Sequence, residues 1–172
     1  QNVGLRMNSD SPKQMGITRC GNMEFRWGQR TYVMGIVNVD PDSFSGDGLR
    51  DAESAIAQGK RFAAEDADII DVGGESTRPG FKPISIDEEL GRVMPVIKRL
   101  AGETPVPVSI DTYKPEVARR AVAAGARMIN DVWELKRDPK LARVAAEAGV
   151  PLVISQNQRG SKFHDFFPEL IA

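Results

Sequence analysis

The sequence predicts an α/β fold on a parallel sheet, and three observations carry that expectation. From Tyr32 onward, apolar β-branched runs alternate with Ala- and charge-rich stretches of helical character. The runs read as apolar on both faces, as strands buried between two layers do. They begin at Val33, Asp68, Val106, Met128 and Leu152. That spacing, roughly thirty residues per unit, suits a (β/α) barrel or a doubly wound sheet.

Taken in order, residues 1–16 are polar and irregular and read as a loose tail. Ile17–Cys20 and Met23–Trp27 are strand-like with Gly21-Asn22 as a turn, so a short β-hairpin precedes the parallel units. Strands are expected at Val33–Val39, Asp68–Val72, Val106–Ile110, Met128–Val132 and Leu152–Ser155. Helices are expected near Arg50–Glu65, Ile86–Leu100, Pro115–Ala124 and Asp138–Ala148. Pro115 suits a first helical turn, and Gly125 and Gly149 stand where helices stop. Residues 17–172 thus hold about five βα units, where a complete eight-unit barrel takes about 250 residues.

Composition narrows the function classes. The 172 residues are 41% hydrophobic and 27% charged, with 23 Lys plus Arg against 24 Asp plus Glu. A net charge of −1 gives no electrostatic footprint for nucleic acid or an acidic membrane. Apolar runs such as Met34–Val37 and Val150–Ile154 are too short for a spanning helix. No charged-then-apolar leader opens the sequence, and the single Cys20 cannot form an internal disulfide, so a cytoplasmic setting is expected. The lone His164 excludes a site needing two histidines and reads as a loop residue. Trp27 and Trp133 read as packing residues.

Polar groups follow every expected strand, at the end where parallel α/β folds build their sites. After the first come Asn38 and the run Asp40-Pro41-Asp42-Ser43-Phe44-Ser45-Gly46-Asp47-Gly48. After the second comes Gly73-Gly74-Glu75-Ser76-Thr77-Arg78-Pro79-Gly80. Ser76, Thr77 and Arg78 offer two hydroxyls and a guanidinium, which suit phosphate, although ordinary βα connections have similar compositions. Neither a phosphate-binding P-loop nor a dinucleotide fingerprint is present. The third strand ends at Asp111, whose carboxylate is either satisfied structurally or accepts from a ligand with paired N–H donors, such as an aminopyrimidine. Asn130 both donates and accepts, and can read the same ring edge. Asn38 is either a turn residue or a ligand to a metal or pyrophosphate oxygen, and Asp131 reads equally well as structural.

These motifs carry a resemblance. Met34-Gly-Ile-Val-Asn-Val-Asp-Pro-Asp-Ser-Phe-Ser45 resembles the first signature of the dihydropteroate synthase family, and Asp68-Ile-Ile-Asp-Val-Gly-Gly-Glu-Ser-Thr-Arg-Pro-Gly80 resembles the second nearly letter for letter. Ser109–Ala118 and Ala124–Trp133 are similar to its third and fourth strand regions. The resemblance implies a (β/α)8 TIM barrel, present here as its N-terminal portion. It implies condensation of 6-hydroxymethyl-7,8-dihydropterin pyrophosphate with p-aminobenzoate, with Mg2+ assisting departure of pyrophosphate. By the same resemblance, Asp111 and Asn130 bind pterin, and Asp111 and Arg78 are the catalytic residues. Asn38 is placed at the metal, Ser76, Thr77 and Arg78 around pyrophosphate and aminobenzoate, and Pro41 and Phe44 over the aminobenzoate ring.

The sequence also departs from that family. Asp40 stands where Thr is usual, Gly46-Asp47 displaces a first-loop carboxylate by one position, Ser155-Gln156 replaces Met-His, and Glu134 falls where Gly is common. The resemblance implies that the family's later Asp-Pro-Gly, Ser-Arg-Lys and Arg-x-His strands lie beyond residue 172, as does the surface for a homodimer. An isolated 172-residue chain is therefore expected to be inactive. A non-catalytic pterin-binding paralogue and a pterin-dependent methyltransferase of the same barrel are the competing readings.

Overall fold

The hairpin forms as its turn residues require. Strand β1 (Ile17–Cys20) pairs antiparallel with β2 (Met23–Arg26) around Gly21, whose φ of +62° suits glycine. The computed structural model describes residues 16–39, 52–76 and 82–155. Trp27 packs against Phe25 and Tyr32 and donates through Nε1 to Thr18 Oγ1 at 2.9 Å. It is a packing residue, as expected, although it stays 39% exposed.

Five parallel strands follow: β3 (Met34–Asn38), β4 (Ile69–Gly73), β5 (Val108–Asp111), β6 (Met128–Asp131) and β7 (Leu152–Ile154). Helices α1 (Ala52–Ala64), α2 (Ile86–Glu103), α3 (Pro115–Ala123) and α4 (Lys140–Ala148) alternate with them. The strand order is β3-β4-β5-β6-β7, without reversal, and each helix contacts the next along the series. That is the singly wound order of a barrel wall and not a doubly wound sheet, whose strand order reverses.

Boundaries shift from expectation for local reasons. β5 starts two residues late because Pro105 and Pro107 have no N–H to donate. α2 runs on to Glu103 and stops where the Thr104 N–H and hydroxyl both donate to Leu100 O. Ser85 caps its start by accepting from Glu88 N. Asp138 precedes α4 instead of joining it, its Oδ1 accepting from Lys140 N. Asp68 precedes β4 and fastens the hairpin side: its carboxylate accepts from Val33 N at 2.9 Å and pairs with Arg30, which holds it below the ordinary carboxylate range.

The two sheet faces differ, which corrects the expectation that both are apolar. Val37, Ile70, Val72, Ile110 and Ile129 pack outward against Val93, Ile97, Leu100, Val117 and Leu141 of the helices. Each such side chain contributes about 1.5–3 kcal/mol on burial. The inner face carries Asp71, Ser109, Asp111 and Asn130. At its lower end the hairpin inserts Cys20 and Phe25 against Ile69 and Met128. Ile36 on edge strand β3 and Val153 and Ile154 on edge strand β7 remain exposed. No helix among the described residues is long and apolar enough to cross a membrane.

Two glycines make opposite demands. Gly125 has φ +121°, and a Cβ there would lie 2.6 Å from the Ala101 Cβ. Gly91, inside α2, faces open space. Gly125→Ala should therefore cost about 1–3 kcal/mol through overpacking and strain. Gly91→Ala should add about 0.5–1 kcal/mol through chain entropy. Urea denaturation of the two variants beside the parent measures both signs.

Candidate functional site

The parallel register sets one row of residues across four strands. Asn38 pairs with Gly73, Gly73 with Asp111, and Asp111 with Asn130, all at strand C-terminal ends. Strands lie about 4.8 Å apart, so Asn38 and Asp111 are roughly 10 Å from each other across the sheet. Gly73 is the gap between them. A Cβ at that position would lie 3.6 Å from Asp111 Oδ2 and 3.8 Å from Asn38 Oδ1. Both side chains therefore converge on the same inner surface, over a floor that lacks a side chain. Asn38, Asp111 and Asn130 are all half-buried, within reach of a ligand.

The structure thus brings together Asn38, Asp111 and Asn130 of the residues expected at the site. Ser76 follows β4 at the same end and is half-buried. Pro41, Phe44, Thr77 and Arg78 lie outside the described residues, as do Asp40, Gly46, Asp47, Gln156 and His164. Asp131 is structural: its buried carboxylate accepts from Trp133 N at 2.9 Å and Leu135 N at 2.6 Å, closing the turn after β6. Trp133 packs edge-on to Tyr113 with the Arg137 guanidinium over its ring.

Two groups escaped the sequence reading. Asp71, one inward step below the row, is 2% exposed, and Asn130 Nδ2 donates to its Oδ2 at 2.9 Å. Burial pushes the Asp71 carboxyl above the ordinary carboxylate range, and the neighbouring Ser109 hydroxyl and Asn130 amide work against that push. A charged residue inside the apolar run Ile69–Val72 was the available signal, because a buried carboxyl needs a partner. The second group joins Lys114, Glu75 and Glu89. Lys114 Nζ donates to Glu75 Oε2 at 2.6 Å, Glu89 Oε2 at 2.5 Å and Ile84 O at 2.9 Å, which uses all three of its protons. Glu75 Oε2 also accepts from Ile84 N, and Glu89 Oε1 accepts from the Thr112 hydroxyl at 2.6 Å. The chain leaving β4 is thereby tied to the chain entering α2 and to the segment after β5.

Burial pulls the Lys114 ammonium down, and its bonds to the two glutamates more than reverse this, leaving it above the ordinary lysine value of 10.5. The folded chain keeps that proton to higher pH than the unfolded chain. The cluster's contribution is thus complete below the ordinary lysine range and is lost as pH climbs through the raised value. Lys114→Met should destabilise by about 3–5 kcal/mol, since it strands two buried carboxylates. Adding Glu89→Gln to Lys114→Met should restore part of the loss, read from denaturant midpoints of the single and double variants at neutral pH.

Residues 34–166 match the family described as pterin binding enzyme. A dihydropteroate synthase of Bacillus subtilis is 50% identical over 145 residues, covering 84% of this chain and 51% of that protein. The solved Xanthomonas albilineans dihydropteroate synthase with 4-aminobenzoic acid is 45% identical with a TM-score of 0.78, covering 90% of this chain and 56% of that one. The same organism's enzyme in complex with 7,8-dihydropteroate is 43% identical with a TM-score of 0.75. This chain spans about half the length of the curated relatives it matches. The chain belongs to the pterin-binding enzyme family, and the relatives named here are dihydropteroate synthases.

Proposed function

We propose that the protein carrying this chain is a dihydropteroate synthase of folate biosynthesis. It condenses 6-hydroxymethyl-7,8-dihydropterin pyrophosphate with p-aminobenzoate to give 7,8-dihydropteroate and pyrophosphate. The observation that carries the reading is the row of Asn38, Asp111 and Asn130 around the open floor at Gly73, on a barrel wall shared with solved dihydropteroate synthases. In the reaction the aminobenzoate nitrogen bonds to the pterin methylene carbon, the carbon–oxygen bond to pyrophosphate breaks, and the amine loses a proton. Positive charge develops on the methylene as the anion departs. Asp111, an acceptor-only group when ionised, takes ring N–H bonds and stabilises that charge. Asn130 reads the neighbouring ring edge.

Ser76, Thr77 and Arg78 supply hydroxyls and a guanidinium to the leaving anion, and Pro41 and Phe44 cover the aminobenzoate ring. Among the described residues no group of three His, Cys, Asp or Glu forms a metal cage. Asn38 offers a single neutral oxygen, a donor set that fits a hard cation holding most of its shell from phosphate oxygens and water. Asn38 would hold Mg2+ on that footing. When bound, the ion supplies positive charge to the leaving pyrophosphate. A cytoplasmic setting belongs to the same reading and accommodates Cys20, a free buried thiol donating to Arg127 O and pushed up to about 11 by burial.

Isothermal titration with the pterin pyrophosphate, with and without p-aminobenzoate, paired with a pyrophosphate-release assay, tests the activity. Turnover dependent on both substrates is expected; pterin binding without pyrophosphate release would overturn the assignment. Asp111→Asn should weaken pterin binding by about ten- to a hundredfold, the equivalent of roughly 1.5–3 kcal/mol for a charged acceptor. Arg78→Ala should lower turnover while the melting temperature holds. A large drop in melting temperature with normal kinetics in the surviving protein would contradict that role.

A further inference from the structure

The bond between Asn130 and Asp71 has a consequence for what the site accepts. A side-chain amide has two unlike ends, and in a half-buried position the wrong end toward a ligand costs a hydrogen bond and leaves a polar group unpaired. Here the choice of end is set from below. Asn130 Nδ2 donates to Asp71 Oδ2 at 2.9 Å, across 59 residues of sequence and from β6 to β4. Asp71 is itself 2% exposed and lies in the middle of β4, between Ile36 and Ser109 on the adjoining strands. It does not lie in the row formed by Asn38, Gly73, Asp111 and Asn130, so it acts from beneath the ligand surface.

We propose that Asp71 is a positioning residue: it anchors the amide nitrogen of Asn130 inside the barrel, so that Oδ1 is the end left for the ligand and an acceptor stands beside Asp111 at the ring edge. The inference rests on the pterin reading for the identity of the ring, and on geometry alone for the anchoring. Asp71 Oδ2 receives the Asn130 N–H, and inverting the amide would give up that bond and, wherever the carboxyl oxygen carries no proton, set two oxygens against each other. With one N–H of Asn130 committed downward, its Oδ1 and second N–H are left on the strand adjoining Asp111. Oδ1 together with the Asp111 carboxylate favours an amino group at that edge over a carbonyl. Replacing Asp71 by Asn keeps the shape but supplies both a donor and an acceptor, so either orientation of Asn130 finds a partner.

The test uses the intact protein with Asp71→Asn and Asp71→Leu, and two probes, pterin and lumazine, which differ in the amino group and carbonyl at this edge. In the parent, nitrogen–proton NMR should show a hydrogen-exchange-protected side-chain amide for Asn130, and titration should show preference for pterin. In Asp71→Leu the protection should vanish. In Asp71→Asn the melting temperature should hold or rise, and the preference for pterin over lumazine should narrow by about tenfold or more. An unprotected Asn130 amide in the parent would overturn the anchoring. Equal weakening of both probes in Asp71→Asn, or an unchanged preference, would reduce Asp71 to a structural role and overturn the proposal. A protected amide that Asp71→Leu releases, in a parent that binds neither probe, would uphold the anchoring and overturn the pterin reading instead.

Discussion

A slip of one residue between β4 and β5 would turn Asp111 into the helix-packed layer and leave the mouth of the sheet without its carboxylate. Everything described at the site depends on that register, because side chains on a strand alternate between faces. The pairing of Gly73 with Asp111 is held by the apolar residues on either side, Val72 and Ile110, which can be buried only if they face the helices. The outward core and the inward row are therefore one constraint seen from two sides. The same hydrophobic pattern that binds the helices to the sheet also points Asn38, Asp111 and Asn130 toward a ligand.

Placing polar groups inside a barrel wall has a cost, and the chain meets it with hydrogen bonds spanning several elements. Asp71 is relieved by Asn130, and Glu75 and Glu89 by Lys114 and Thr112. Buried ion clusters of this kind are poor sources of net stability, although removing one partner is strongly destabilising. Gly74 shows how tight the arrangement is: a Cβ there would lie 2.7 Å from Val93 Cγ1, so the chain leaving β4 passes directly against α2. Below the row, the hairpin residues Cys20 and Phe25 close the inner face with apolar contact, so polarity is concentrated at the upper end.

Much of the architecture was legible because its signals are local. Alternating runs, Pro115 at a helix start and Gly149 in a left-handed C-cap each act within a few residues. The row was legible for the same reason, as polar residues terminating apolar strands. Glu134 gives a subtler case. Its place in a position commonly Gly has a backbone explanation, since Glu134 and Leu135 both adopt left-handed φ near +60°. Asp71, Lys114 and Glu89 were not legible as a set because their partners lie 25 to 59 residues away and become neighbours only through the sheet. The inner face was misread as apolar because a single charged residue inside a short run does not reveal which way its side chain points.

The uninterrupted strand order also bears on how the site comes into being. Each βα unit packs on the one before it, so structure can accumulate in the direction of synthesis. Asp71 belongs to the second strand of the sheet, and its amide partner to the fourth. Between the arrival of those strands, β5 brings Ser109 beside the carboxyl, but the amide donor of Asn130 is still to come. Laying down β6 supplies that donor and, in the same movement, delivers Asn130 to the ligand surface. Maturation of the recognition edge thus coincides with the pairing of a buried carboxyl, and a nascent chain halted before Asn130 would have the wall and Asp111 without the amide beside it.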